Sequence, residues 1–145
     1  MDFDNSRRLL GLDVGDRRIG VAVSDYTGFL ATPLGVYTRR GDQRDVEHIA
    51  ALVADYEASR VVVGLPRNMN GTEGEQAEKT REFAGQLVGA GLSVTLWDER
   101  LSTIEATRRL VEVGRKGRAI RQRIDAEAAA VILETYLDYL RSGGE

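Results

Sequence analysis

Two apolar runs open the chain, "RLLGLDV" and "IGVAVS", divided by the polar stretch "GDRR". They predict strands over Arg8–Val14 and Ile19–Ser24, and the short Gly/Asp turn between them predicts an antiparallel hairpin. A third strand is expected around Thr32–Thr38, at an edge or with Pro33 near its start, because proline donates nothing to a ladder. From Asp42 to Ala58 the period changes. Val46, Ile49, Ala50, Leu52, Val53 and Tyr56 fall near helical spacing, and the helix feeds "RVVVGLP", a β-branched run suited to a buried parallel strand. Thr72-Glu73-Gly74-Glu75 has capping-box form and predicts a helix with an inward stripe of Ala77, Thr80, Ala84 and Leu87. "GLSVTLWDE" then reads as a fifth strand. Ser102-Thr103-Ile104-Glu105, a second capping box, opens a helix to about Val113, and a last helix is expected from about Ile124 to Leu140.

The order β-β-β-α-β-α-β-α-α is a meander followed by crossover units. It predicts an α/β protein with a mixed five-stranded sheet flanked by helices, and right-handed connections place the later parallel strands beside the first. That arrangement has the character of an RNase H-like fold. No repeat, low-complexity tract or linker interrupts it, so one domain is expected over 7–141, with 1–6 and 142–145 as flexible tails.

Composition narrows the picture in three ways. With 42% hydrophobic and 30% charged residues of both signs, the chain suits a soluble globular protein rather than a disordered one. It contains no cysteine, which excludes disulfides, thiolate metal sites and Cys nucleophiles. "MDFDNS" lacks the form of a secretory leader, and no apolar run approaches the roughly 20 residues needed to cross a bilayer, so the expected location is cytoplasmic, away from membranes. A net charge of −3 rules out a surface basic all over but leaves room for a local basic stripe.

In open α/β sheets, ligands collect at the carboxyl ends of parallel strands. Asp13 interrupts an apolar strand at such an end, where a buried carboxylate needs solvent, backbone donors or a cation. A turn-supporting role is the plainer alternative, although Asp16 is better placed for it. In "WDER", Asp98 and Glu99 alternate faces if the strand persists, and spacing does not choose between them. Asp125 heads a helical stripe of Ala128, Ala129, Ile132 and Tyr136, where it either serves a site or answers the helix dipole. Carboxylates gathered within several Å repel one another until divalent cations stabilise their charged forms. Oxygen-only donors suit Mg²⁺ or Mn²⁺, and two such ions about 4 Å apart support in-line phosphodiester hydrolysis.

A one-signed stretch, "GRKGRAIRQR", precedes Asp125 and contributes Arg115, Lys116, Arg118, Arg121 and Arg123. Its glycines suggest a mobile loop able to hold phosphates beside the carboxylates. Arg17 and Arg18 in the first turn, and Arg67, Asn68 and Asn70 after "GLP", are further candidates for backbone contacts. Trp97 reads as core, and His48, the only histidine, has no partner for a nucleophilic triad.

Four blocks, "GLDVGDRRIGVAVSD", "VVGLPRNMNGTEGEQA", "DERLST" and "IDAEAAAVILETYL", together resemble the signature blocks of the YqgF/RuvX family, small bacterial RNase H-like nucleases. The resemblance spans nearly the whole chain with the blocks in order. It implies a Holliday-junction-resolvase-like domain acting as a metal-dependent nuclease on structured nucleic acid, with precursor 16S rRNA 5′ processing as the first expectation and branched DNA as the second. It also implies that the acidic residues are Asp13, Glu99 and Asp125, favouring Glu99 over Asp98, with Mg²⁺ or Mn²⁺ as cofactor. Either a monomer or a homodimer is compatible, two symmetric cuts in a junction needing two sites. Two other classes compete. The "DVG…G" opening is also similar to the phosphate loop of actin-like kinases, but the chain is short for their second domain and lacks Gly-x₄-Gly-Lys-[Ser/Thr]. A non-catalytic RNA- or protein-binding factor would use the same basic segment.

Overall fold

The computed structural model of the chain describes residues 8–101 and 118–143. Five strands, β1 (Arg8–Val14), β2 (Arg18–Ser24), β3 (Ala31–Thr38), β4 (Ala58–Leu65) and β5 (Val94–Asp98), form one sheet in the order β3-β2-β1-β4-β5. The first three are antiparallel neighbours, whereas β4 pairs parallel with both β1 and β5. Among the described residues the helices are α1 (Asp42–Asp55), α2 (Glu75–Gly89) and α3 (Arg118–Arg141). The β3 ladder slips between Val21 and Ala22, and Pro33 sits at the sheet edge as its missing donor requires.

The period of two along each strand divides the core into two layers. Leu10, Leu12, Val14, Val21, Val61 and Val63 lie on the face packed against Ile49 of α1 and Phe83 and Leu87 of α2. On the opposite face the central strands present smaller residues, and the bulk comes from the helix and β5. Ala22 and Val62 meet Ala128, Ala129, Ile132 and Leu133 of α3, while Trp97 packs edge-on against Tyr136 and donates from Nε1 to the Thr135 hydroxyl at 2.8 Å.

Glycine sets how closely α3 lies. A Cβ on Gly20 would stand 2.0 Å from the Asp125 carbonyl oxygen, and one on Gly64 would stand 2.4 Å from Cδ1 of Ile132. Strand-interior glycines therefore mark a close backbone approach here. Ile132, fully buried at this contact, is expected to cost about 2–5 kcal/mol when cut to alanine, read as a lower urea midpoint with unchanged slope.

Several boundaries differ from those predicted. Helix α1 stops at Asp55, and Glu57, with φ of 53°, turns the chain so that Ala58 already begins β4. Gly74 rather than Thr72 precedes α2, because the Thr72 hydroxyl is bonded to Asn70 and Asn68 instead. β5 ends at Asp98, and Glu99 begins a single 3₁₀ turn, so strand alternation does not reach it. Helix α3 begins at Arg118, six residues before the expected Ile124. Residues 118–123 are therefore helix rather than loop, in keeping with a segment rich in Arg, Ala and Gln and free of Gly and Pro. The helix expected over Ser102 to Val113 lies outside the described residues, as do the candidate contacts Arg115 and Lys116.

Candidate active site

The three carboxylates reach one place by three routes. Asp13, only 7% exposed, ends the apolar alternation of β1 on the α3 side of the sheet, directly across from Gly20 on β2. Because Gly20 has no side chain, α3 settles onto β2 at Asp125. Glu99 leaves β5 on the 3₁₀ turn, and its Oε2 and Cγ lie over Gly64 of the neighbouring strand, each 3.1 Å from where a Cβ would be. Asp13, Glu99 and Asp125 thus line one cleft of about 400 Å³, together with Gly15, Asp16, Arg17, Arg18, Pro66 and Gln76.

Asp125 sits two turns into α3, too far along for the helix dipole to account for it. Its Oδ2 accepts from Nε of Arg18 at 2.8 Å, both groups being partly open to solvent. In this arrangement, no three His, Cys, Asp or Glu side chains among the described residues converge tightly enough to hold a metal ion. The donor set itself is nevertheless suited to one: all oxygens, one nearly buried, on a cleft open to solvent.

Asp98 goes elsewhere. Its carboxylate takes Arg100 at 2.8 Å and Arg67 at 3.9 Å, and the Arg100 guanidinium, outweighing burial, holds its pKa below the ordinary aspartate range. Arg67 is shared with Glu73 at 3.4 Å, and Asn68 is spent on the loop, its Nδ2 donating to the Thr72 hydroxyl at 2.9 Å. Neither lines the cleft. Arg17 and Arg18 do, Arg17 being exposed. Arg118, Arg121 and Arg123 have their backbone in the first turns of α3, on the approach to Asp125. His48 stacks on Tyr37, with ring centroids 4.0 Å apart and no place in the cleft.

Gln76 was not singled out from the sequence. It belongs to the first turn of α2, and its Nε2 donates to the Val14 carbonyl at 3.2 Å, beside Asp13. The crevice beyond the carboxyl ends of β1 and β4 is where a helix following β4 must begin, and that rule was the available signal.

The sheet order with helices on both faces is that of an RNase H-like protein, and the solved structures agree. RuvC from Thermus thermophilus, in complex with a Holliday junction substrate, superposes with a TM-score of 0.58 at 21% identity, covering 94% of this chain and 96% of RuvC. RuvC from the same organism in a second structure gives 0.55 at 18% identity over the same shares. Residues 7–139 match the RuvX family, described as Holliday junction resolvase, and the chain belongs to that family. A protein of Pelotomaculum thermopropionicum named "Putative pre-16S rRNA nuclease" is 49% identical over 133 residues, 90% of this chain and 86% of the relative. One of the same name from Desulfitobacterium hafniense (strain DSM 10664 / DCB-2) is 49% identical over 135 residues, 92% and 94% of the two chains.

Proposed function

We propose that the protein is a divalent-cation-dependent nuclease that trims the 5′ side of precursor 16S rRNA. The observation that carries the chemistry is the shared cleft: Asp13, Glu99 and Asp125 meet there with Arg17 and Arg18. The substrate class is supported by relatives that are nearly half identical over nine-tenths of the chain.

Asp13, Glu99 and Asp125 would hold Mg²⁺ or Mn²⁺, which supplies charge stabilisation and an activated water for in-line attack on a phosphodiester. The chain's own part is to present oxygens on rigid elements: Asp13 from the central strand, Glu99 from a turn seated on Gly64, Asp125 from a helix seated on Gly20. Arg18 balances the charge of Asp125 at 2.8 Å, beside the position a cation would take. Arg17 and Arg18 flank the carboxylates on the substrate side and orient the phosphate, and the basic segment from Arg115 to Arg123, through Lys116, Arg118 and Arg121, extends that contact along the strand. Work in the cytoplasm, where ribosomes are assembled, follows from such a substrate. Asp98, tied to Arg100, stands outside the reaction.

Cleavage of a 16S precursor transcript and of a four-way DNA junction, each with Mg²⁺ or Mn²⁺ and with chelator, tests the reading. Cation-dependent cutting of the transcript is expected. Cutting of the junction alone supports the resolvase reading that the family's description favours. RNA binding without any cleavage supports the non-catalytic factor. Replacing Arg17 by alanine is expected to weaken RNA binding uniformly across sequences and to reduce the slope of log K against log salt by about 1. An unchanged slope removes Arg17 from the phosphate contacts.

A further inference from the structure

The turn that carries Arg17 and Arg18 is held from behind, on the sheet face opposite α3, by a charge pair whose acid is buried and whose arginine is partly exposed. Asp45, in the first turn of α1, is fully buried, although its spacing from Ile49 and Leu52 calls for an apolar residue. Its carboxylate accepts from Nε of Arg39 at 2.8 Å and from the Arg40 amide at 2.9 Å. Burial pushes its pKa up, but these donors outweigh it and keep the group below the ordinary aspartate range.

The rest of the Arg39 fork is engaged as well. Nη2 donates to Asp42 at 3.1 Å, Nη1 donates to the Gly15 carbonyl at 2.9 Å, and the guanidinium lies 4.9 Å from the Phe83 ring centre. The Arg39 amide donates to the Arg17 carbonyl at 2.9 Å, while the Gly15 amide closes the turn on the Arg18 carbonyl at 2.8 Å. One residue therefore grips the turn at both Gly15 and Arg17, yet it does not line the 400 Å³ cleft.

Burying the Asp45 carboxylate is compensated only when its oxygens are well hydrogen-bonded, and here those bonds also fix the donor that supplies them. We propose that Arg39, locked by Asp45, is a positioning residue that sets where Arg17 and Arg18 stand relative to Asp13 and Asp125. Its effect on cleavage rests on the nuclease reading above, and its effect on the turn does not. Lysine does not replace it, because one ammonium cannot serve Asp45, Asp42 and Gly15 in the geometry of a planar fork.

The test compares Arg39→Lys, which keeps a cation beside buried Asp45, with the double variant Arg39→Met/Asp45→Asn, which removes both charges together and so leaves neither unpaired. Ile49→Val supplies a control mildly destabilised in the same layer. Amide hydrogen exchange of the free protein at Gly15 is expected to speed by at least about tenfold in both Arg39 variants and to stay unchanged in the control. The kcat on the transcript is expected to fall by about 10²-fold while KM stays within about twofold. Full kcat or unchanged Gly15 exchange in the folded Arg39→Lys protein overturns the proposal. If wild type itself cuts nothing, the nuclease reading falls, and the exchange measurement alone decides the positioning role.

Discussion

Replacing Asp13 by asparagine is expected to leave a folded protein that has lost cleavage by at least about 10²-fold, the scale on which one preorganised electrostatic group at a reacting centre is felt. The amide keeps the shape of a side chain that is 7% exposed, so packing against α3 is preserved, while the charge a cation would answer is gone. Circular dichroism and a melting curve establish the fold, and single-turnover cleavage of the transcript reads the loss. Equal cleavage by the folded variant would remove Asp13 from the mechanism. The neighbouring pair sharpens the point: Glu99→Gln is expected to behave like Asp13→Asn, whereas Asp98→Asn retains cleavage because its carboxylate serves Arg100 and Arg67 outside the cleft.

The second large effect involves no charge at all. Gly20→Ala places a methyl 2.0 Å from the carbonyl oxygen and 2.4 Å from the carbonyl carbon of Asp125. Both are backbone atoms, so no rotamer relieves the clash and the helix itself must lift. Overpacking of that kind is expected to cost about 3 kcal/mol, or about 10 °C in Tm for a chain of this size. Lifting α3 also withdraws Asp125 from Asp13, so cleavage is expected to fall further than in a variant of equal Tm loss elsewhere, such as one on the α1 side of the sheet. A Gly20→Ala protein with wild-type Tm would show that α3 does not approach β2 as described.

Much of this is legible in the sequence. The β-β-β-α-β-α-β order follows from periodicity, and parallel strands placed beside the first give the observed β3-β2-β1-β4-β5 sheet. Asp13 was visible as a charge in an apolar strand. Glu99 was not separable from Asp98 by spacing, and the physical reason is now plain: the strand ends between them, so alternation never governed Glu99. Its selection came from the family's motif. The glycines that bring the site together were present in the sequence, but a glycine in a strand announces a close approach without naming the partner, and Asp125 lies 105 residues from Gly20 in the chain. Asp45 carried the same kind of signal as Asp13, an acid on an apolar stripe. It escaped notice because the arginine that satisfies it, Arg39, lies before the helix and outside any helical spacing.

Binding of Mn²⁺ to the free protein, followed by electron paramagnetic resonance or calorimetry, tests the central claim without reference to any substrate. Wild type is expected to bind the ion, and Asp13→Asn, Glu99→Gln and Asp125→Asn are each expected to weaken it by at least about tenfold, with Asp98→Asn unchanged. Equal Mn²⁺ affinity in wild type and all three cleft variants would contradict the assignment of these carboxylates as the cation site.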